Sequence, residues 1–205
     1  MKQIVSRQVA LAGQVVDGVT GEPVSGARVA LATVPVKFQR VLDVQRLSRG
    51  KEWDSLDERA DRRRTNSTGR FCFLDLPSGS YGLTVSLSAG GHRYAPHKAT
   101  AVVKRNRAGH ITPAWVELAL PVTIVAGTVS GPGSKPIAFA SVHVRGEPVR
   151  AYTDKVGHFS LTGLEPGRRS IVVAARGFVT VAHPVSIAKP GSSKTVRISL
   201  KPAPS

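Results

Sequence analysis

The fold is decided by residues 68–85, which read TGRFCFLDLPSGSYGLTV. Phe71 and Phe73 alternate with smaller or polar residues, and the same alternation resumes over residues 81–85. An alternation of period two is typical of half-buried strands. Residues 77–79 read Pro-Ser-Gly, which supplies a fixed φ followed by a residue that tolerates positive φ. The stretch therefore predicts a strand, a tight turn and a returning strand.

The pattern occurs twice in the chain. Residues 157–173, GHFSLTGLEPGRRSIVV, repeat the hairpin, and the strand-like residues 9–16 and 24–32 have counterparts at 125–129 and 137–144. Each copy closes with one more alternating segment, at 114–120 and at 194–200. Such self-similarity predicts a tandem repeat of one small β unit.

Length and composition agree with two small β domains. A chain of 205 residues accommodates two domains of roughly 100 residues each. Aromatic residues make up 5% of the chain, so Val, Leu, Ile and Ala must build the cores, while 20 Gly and 14 Pro suit short strands and tight turns. We predict an all-β chain with domains at residues 8–120 and 121–202.

The first domain carries an insertion that the second lacks. The segment from Pro23 to Gly69 covers 46 positions and its counterpart covers 21, so the first unit has 25 additional residues at about 35–66. Residues 51–64 are rich in helix formers, although their i,i+4 charge pairs are largely repulsive, and they predict a short, marginal helix. A long insertion between strands is where function tends to lie.

Three motifs carry a resemblance to a known family: G-x-V, P-[VI]-x-x-A-x-V and G-x-F-x-[FL]-x-x-L-x-x-G. They occupy residues 13–15, 23–29 and 69–79 in the first unit, and 127–129, 136–142 and 157–167 in the second. This combination resembles the carboxypeptidase regulatory-like domain. The resemblance implies a seven-stranded, transthyretin-like Greek-key sandwich of roughly 80 residues that accompanies a peptidase without performing its chemistry. Thr68 and Val156 stand where the family usually has an acidic residue, with Asp154 slightly upstream.

A formal charge of +16 predicts attraction to an acidic partner. The sharpest basic clusters are Arg62, Arg63 and Arg64 in the insertion, and Lys104, Arg105 and Arg107 before the last strand of the first unit. An oligonucleotide surface would interleave aromatic residues with these charges, and that interleaving is missing. The clusters therefore favour a solvated loop or a contact with an acidic protein over nucleic acid.

Two tryptophans complete the set of candidate partner-binding residues. Trp53 lies in the insertion. Trp115 lies beside Val116 in the last strand of the first unit, a position that points away from the core of that unit. Trp115 could pack against the second unit, which we favour, or could face a sugar or a partner protein.

No catalytic, metal or cofactor motif is present. The six histidines form no H-E-x-x-H motif, the 13 acidic residues are dispersed, and neither a G-x-S-x-G elbow nor a phosphate-binding loop occurs. Cys72 is the single cysteine, which excludes an internal disulfide, and its place in a strand predicts a small, half-buried residue. We predict that the protein is not an enzyme and needs no cofactor.

The N-terminus predicts synthesis in the cytoplasm without a signal peptide. Arg7 and Gln8 interrupt the only apolar residues near the start. Nothing later approaches the roughly 18 consecutive apolar residues of a membrane helix. A protein of this kind could leave the cell as part of a particle that assembles inside it.

The first functional hypothesis is a structural or adhesion module that binds partner proteins in a larger assembly through sheet edges, the insertion and basic loops. Tandem regulatory-like domains with a Trp- and Arg-bearing insertion loosely resemble accessory proteins of phage-tail-like contractile injection systems. The alternative is a carbohydrate-binding module that uses Trp53 and Trp115 on a cell-surface or anionic polysaccharide. Nucleic-acid binding is a third and less favoured hypothesis.

Overall fold

The structure is a computed structural model that describes residues 7–87 and 93–204. The described residues form two compact units: unit 1 comprises 7–87 and 96–120, and unit 2 comprises 93–95 and 121–204. The prediction of no signal peptide concerns the first twelve residues, of which 1–6 lie outside the described residues. Each unit is built mainly from strands in two sheets, which confirms the predicted all-β fold of two tandem sandwiches.

Unit 1 contains eight strands and the helical insertion among its described residues. In chain order these are β1 (Val9–Asp17), β2 (Arg28–Thr33), α1 (Val36–Arg49), a 3₁₀ helix (Gly50–Ser55), β3 (Arg62–Arg64), β4 (Arg70–Leu74), β5 (Gly79–Ser86), β6 (His97–Arg105), β7 (Ile111–Thr112) and β8 (Ala114–Leu120). One sheet has the order β4-β1-β8, and the other has the order β3-β2-β5-β6-β7. β1 pairs antiparallel with β4 but parallel with β8.

Unit 2 contains seven strands among its described residues. They are β9 (Ile124–Ser130), β10 (Ser141–Val144), β11 (Arg150–Tyr152), β12 (His158–Thr162), β13 (Gly167–Ala174), β14 (Val181–Ile187) and β15 (Ser193–Ser199), with a short 3₁₀ turn at Pro132–Ser134. The sheets have the orders β12-β9-β15 and β11-β10-β13-β14, and β9 and β15 pair in parallel. Inward-facing Val, Leu, Ile and Phe side chains from both sheets form one core.

The helix of the insertion lies upstream of its predicted position. The sequence predicted a short helix over 51–64, but α1 spans Val36–Arg49, and the predicted stretch holds the 3₁₀ helix and β3. Pro35 precedes α1, and Gly50 ends it with φ +54° and an N–H bonded to the Arg46 carbonyl. Proline before a helix and glycine after it are the expected boundary residues. Repulsive carboxylate pairs oppose a helix over the later stretch.

The first and third motifs meet in the core of each unit. Gly13 pairs with Phe71, and Gly127 pairs with Phe159 in the same way. A Cβ on Gly13 would lie 2.8 Å from the ring of Phe71 and would overlap the Val116 carbonyl oxygen. The glycine of G-x-V is therefore needed because the phenylalanine of G-x-F and the closing parallel strand occupy the space of its side chain.

A buried threonine and a polar neighbour hold the loop before the third motif in both units. Thr65 Oγ1 accepts a hydrogen bond from the Ala27 N–H (2.8 Å) and donates one to the Val24 carbonyl (2.7 Å). Thr153 makes the same pair of bonds in unit 2, to the Ala140 N–H (2.8 Å) and the Ile137 carbonyl (2.7 Å). The two bonds join the second motif to the loop that precedes the third.

The loop acceptor next to each threonine is Asn66 in unit 1 and Asp154 in unit 2. Asn66 Oδ1 accepts the N–H groups of Thr68 and Arg70, and Asp154 Oδ1 accepts those of Val156 and His158. The resemblance placed the supporting residue at Thr68 and Val156. In the structure it lies two positions upstream of each, at Asn66 and Asp154. Because the acceptor needs only an oxygen, an amide serves as well as a carboxylate.

We expect Thr65→Val and Thr153→Val each to lower the free energy of unfolding by about 1–3 kcal/mol. Each substitution keeps the shape of the side chain but leaves a buried N–H and a buried carbonyl without their partner. Urea denaturation, followed by circular dichroism, measures the change. Thr100→Val, at an exposed position of β6, is the matched control and should change stability by less than about 0.5 kcal/mol. Equal effects for buried and exposed threonines would contradict the prediction.

Candidate partner-binding site

Helix α1 docks on unit 1 through one face. Phe38 and Leu42, one turn apart, are buried, and the Phe38 ring packs edge-on against Tyr81 of β5 with 6.1 Å between centroids. Burial raises the pKa of the Tyr81 hydroxyl to about 12, so the hydroxyl remains protonated at neutral pH. It donates a hydrogen bond to the Pro77 carbonyl (2.7 Å) in the turn between β4 and β5. The helix is thereby fixed to the hairpin that defines the fold.

The solvent-exposed part of α1 carries large apolar side chains among its charged ones. It presents four large side chains that are between 44% and 83% exposed: Val36, Val41, Val44 and Leu47. We call these four residues the α1 stripe. Exposed apolar groups that cluster on one element are typical of interaction surfaces. The cations Lys37, Arg40 and Arg49 and the single carboxylate Asp43 are also exposed on this helix, so its charge is positive.

Sequence reasoning missed the α1 stripe. Apolar residues occur on most sides of this helix, so no single amphipathic face distinguishes the buried side from the exposed one. The usable signal was the pair of boundary residues, Pro35 and Gly50, which delimits a helix of suitable length. Because Phe38 and Leu42 make the contact with the sheet, the other four large apolar residues of the helix remain exposed.

Trp53 does not serve as an exposed partner-binding residue. Its side chain is 4% exposed, and the guanidinium of Arg59 lies 4.7 Å above its ring. Arg59 also donates to the Trp53 carbonyl (3.1 Å) and makes a bidentate pair with Asp61, at 2.8 Å and 3.0 Å. Trp53, Arg59 and Asp61 together form a small core for the insertion, which we call the Arg59 cluster. The expectation that Trp53 faces a partner or a sugar is therefore wrong for this structure.

The three arginines of the insertion form strand β3 and are half-buried. β3 pairs with β2, so that Arg64 lies opposite Arg28 and Arg62 opposite Ala30. The predicted solvated loop is thus a strand at the edge of the five-stranded sheet. Backbone pairing with β2 explains why three consecutive cations can be extended and partly covered.

The side chains of β3 are used within unit 1. Arg62 donates to the Leu56 carbonyl (3.2 Å). Arg63 donates to the carbonyls of Cys72 and Arg59 and lies over the Phe73 ring at 5.6 Å. Arg64 binds the Asp57 carboxylate at 2.8 Å. These cations bridge the insertion to the sandwich, which leaves them less available to a partner than the sequence predicted.

The carboxylate of Asp57 forms ion pairs with two nearby arginines. Arg64 and Arg28 approach its carboxylate at 2.8 Å and 3.6 Å. The hydrogen bond from Arg64 lowers the pKa of Asp57, and the charges of Arg28 and Arg62 act in the same direction. Burial lowers the pKa of Arg62, with repulsion from Arg59 and Arg28 as further causes. The insertion thus neutralises part of its own positive charge.

Trp115 is exposed on the outer face of the three-stranded sheet. It is 59% exposed and lies in one cross-strand row with Ala12 and Cys72. The corresponding row of unit 2 is Thr195, Ala126 and Ser160, so the fold does not require a tryptophan at this position. A cleft of about 420 Å³ lies here and is lined by Trp115, Ala12, Glu58, Arg63, Arg64, Asn66, Arg70, Phe71 and Cys72. Packing of Trp115 on the second unit stays a prediction.

Cys72 is exposed, whereas the sequence predicted a half-buried residue. In β4 the side chains of Phe71 and Phe73 face the core, so Cys72 between them faces outward. Its adjacent row neighbour Ala12 is small and β4 is an edge strand, so the thiol is uncovered.

The second basic cluster lies at the end of a hairpin. Lys104 and Arg105 end β6, Arg107 follows in the turn, and all three are exposed. Asn106 Oδ1 accepts the N–H groups of Ala108 and His110, and Arg105 donates to the Gly109 carbonyl (2.7 Å), so the turn is well ordered. Arg107 thus lies in an exposed turn, while Lys104 and Arg105 lie at the end of a strand, and the binding of a partner by this cluster stays a prediction.

Within residues 7–87 and 93–204, no three His, Cys, Asp or Glu side chains lie close enough together to hold a metal ion. None of the helices in this part of the chain has the length and apolar character needed to cross a membrane.

Among known protein families, one family model matches part of the chain. The model of the carboxypeptidase regulatory-like domain matches residues 124–201, a span that includes all seven strands of unit 2. This match confirms the resemblance for unit 2, and for unit 1 the resemblance stays a prediction. A search of the curated proteins finds no match.

Several solved structures are similar to the chain at low sequence identity. A cohesin–X-dockerin complex from Acetivibrio cellulolyticus has a TM-score of 0.34 and 19% identity over 38% of this chain and 56% of that one. A streptococcal ancillary pilin has a TM-score of 0.39 and 14% identity over 98% and 64%. The shaft pilin of Lactobacillus rhamnosus GG has a TM-score of 0.42 and 14% identity over 97% and 98%. The chain thus spans less than two thirds of the first two, and at these TM-scores the similarities carry no inference about partners.

Proposed function

We propose that the chain is a non-catalytic module that binds a partner protein within a larger assembly, and that the α1 stripe is its main contact. The observation that carries this proposal is the exposure of Val36, Val41, Val44 and Leu47 on a helix that has no counterpart among the described residues of unit 2. Burying such side chains stabilises a complex by about 1.5–3 kcal/mol each when they are fully covered. The fold gains nothing from exposing them.

The charge around the stripe determines the kind of partner. Lys37, Arg40 and Arg49 are exposed and make no ion pair among the described residues, whereas Arg46 approaches Asp54 at 3.5 Å. Exposed apolar side chains interspersed with cations are complementary to an apolar surface that also carries carboxylates. We expect the partner to be an acidic protein and its association rate to fall as ionic strength rises.

The finer hypothesis concerns the assembly. It states that the chain is made in the cytoplasm and occupies symmetric positions on a phage-tail-like contractile injection particle. This hypothesis rests on the loose resemblance of the sequence to accessory proteins of such particles. A regulatory-like domain, which is the family matched by residues 124–201, accompanies other proteins and fits such a role.

The carbohydrate-binding alternative has weaker support. It required both tryptophans to be exposed, and Trp53 lies within the Arg59 cluster. Trp115 alone, with arginine and glutamate around it, is not a coplanar aromatic platform. Loss of retention on an immobilised anionic polysaccharide in Trp115→Ala would support the carbohydrate-binding function.

Purification of the tagged chain from its source cells, without crosslinker, tests the proposal. Wild-type protein should elute in a large complex, and cryo-electron microscopy should show α1 in contact with another chain. The double variant Val44→Glu with Leu47→Glu should bind about a hundredfold more weakly and elute as the free chain, because two apolar contacts are replaced by buried charges. Contractile, sheathed particles in the images would support the finer hypothesis.

A matched control separates the stripe from general surface changes. Val102 on β6 is 51% exposed, so Val102→Glu makes the same substitution away from α1 and should remain in the complex. Circular dichroism should show native folding for all variants, because the substituted residues are exposed. Recovery of wild type only as a free monomer, or retention of the double variant in the complex, would overturn the proposal.

A further inference from the structure

The turn after the second motif of unit 2 holds an exposed phenylalanine in an unfavourable backbone conformation. Phe139 has φ +56°, in the left-handed region, and its side chain is 73% exposed. A bulky residue at positive φ is an outlier, because its Cβ crowds the backbone. Burial of the ring does not offset this cost in the free protein.

The repeat shows what the fold itself requires at this position. The second motif aligns Phe139 with Gly26 of unit 1, which has φ +72°. Glycine adopts this conformation without steric cost. Phe139 is therefore a residue that the fold tolerates at a cost in stability. Retained strain of this kind clusters at functional sites.

A cavity of about 640 Å³ lies beside the turn. Phe139, Ile137 and Phe178 provide its apolar lining. Gly131 lets the Phe178 ring lie against the backbone, since a Cβ there would come within 3.1 Å of Phe178 Cε1. We call this cavity the Phe139 pocket. Its volume is in the range of sites that hold a small ligand or a side chain with its neighbours.

The rim of the Phe139 pocket is cationic. Lys135 and Arg176 are exposed at its border, and neither has an ion-pair partner among the described residues. An apolar floor with two free cations at the rim is complementary to an apolar group flanked by carboxylates.

We propose that the Phe139 pocket binds an acidic segment of a partner protein, which inserts one apolar side chain between Phe139 and Phe178. Lys135 and Arg176 bind carboxylates on either side of this anchor. The pocket is a second binding site, in unit 2, and does not depend on the α1 stripe. Phe139 is retained despite the cost of its positive φ because its ring covers the inserted apolar side chain.

Immobilised peptide pools test this proposal with the full-length protein. One pool carries Leu, Phe or Trp between glutamates, a second replaces the apolar residue with serine, and a third replaces the glutamates with lysines. Biolayer interferometry at physiological salt should show saturable binding of the first pool by the wild type. Phe139→Gly should weaken this binding at least about tenfold, which is the loss typical of an anchoring aromatic residue.

Phe139→Gly is expected to fold, because unit 1 has glycine at the same turn position. Phe139→Gly should unfold at the same urea concentration as wild type or at a higher one. Lys135→Glu with Arg176→Glu should reverse the preference toward the lysine pool, and Val44→Glu with Leu47→Glu should leave peptide binding unchanged. Binding that survives Phe139→Gly, equal binding of the serine pool, or no binding of the first pool would overturn the proposal. Because these peptides do not report on the α1 stripe, failure here is distinct from failure of the proposed function.

Discussion

Gly13→Ala is expected to lower the free energy of unfolding of unit 1 by about 3 kcal/mol, at the upper end of overpacking effects. The new methyl group would overlap the Val116 carbonyl oxygen of β8 and would press on the Phe71 ring of β4. Both neighbours belong to strands that hydrogen-bond to β1 along their length, so neither can move without weakening a ladder. Trp53 and Trp115 are the two tryptophans of the chain, and both lie in unit 1, so tryptophan fluorescence during urea denaturation measures the change.

Unit 2 provides an independent replicate of this prediction. Gly127→Ala meets the Val196 carbonyl and the Phe159 ring in the same geometry and should cost a similar amount, measured by circular dichroism. Ala126→Ser adds one atom on the outer face of the same strand and should change stability by less than about 0.5 kcal/mol. A loss below about 1 kcal/mol for both glycine variants would show that the strands shift easily and that the close approach is not required.

Arg59→Met is expected to destabilise the insertion by about 3–5 kcal/mol. The substitution leaves the Asp61 carboxylate, whose side chain is only 14% exposed, without its bidentate partner, and removing one member of a largely buried ion pair has this order of effect. It also removes the cation above Trp53 and the hydrogen bond to the Trp53 carbonyl. The insertion should open locally, while the two sheets of unit 1 stay folded.

The measurement is tryptophan fluorescence in a Trp115→Phe background, in which Trp53 is the reporter. The emission of Trp53 should shift to the red at low urea concentration, and amides of residues 50–61 should exchange faster. Arg46→Met is the control, because Arg46 is exposed and its 3.5 Å pair with Asp54 should contribute less than about 1 kcal/mol. Equal effects of the two arginine variants would contradict an Arg59 cluster that organises the insertion.

The motifs predicted the sandwich because local packing or turn geometry requires each of their residue types. Gly13 and Phe71 share one space, and the turn at residues 77–79 determines where β4 ends and β5 begins. By contrast, β6 and β14 were not predicted. Their N-terminal halves alternate between exposed and half-buried residues, and only two side chains of each strand are fully buried. A sequence pattern detects a strand when its inward face is strongly apolar, and these strands show that face over a few residues only.

The candidate site could be predicted only in part, since exposure depends on neighbours that are distant in sequence. The outward position of Trp115 follows from strand alternation, and the exposed Arg107 follows from turn chemistry. The burial of Trp53 depends on Arg59, which looks like any other charge in a charged segment. The exposure of Leu47 depends on which face of α1 meets Tyr81, and a helix with apolar residues on most sides does not reveal that choice.

The parallel pairing of β1 with β8 has a consequence for biosynthesis. Leu11 lies opposite Ala114, so two strands about one hundred positions apart must meet before the three-stranded sheet is complete. During translation β1 leaves the ribosome first, pairs with β4, and keeps its other edge open until residue 120 has emerged. An open edge can pair with another nascent chain, so this interval is when unit 1 is most exposed to misassembly. A chain released before β8 would keep that open edge permanently and should be the species that aggregates.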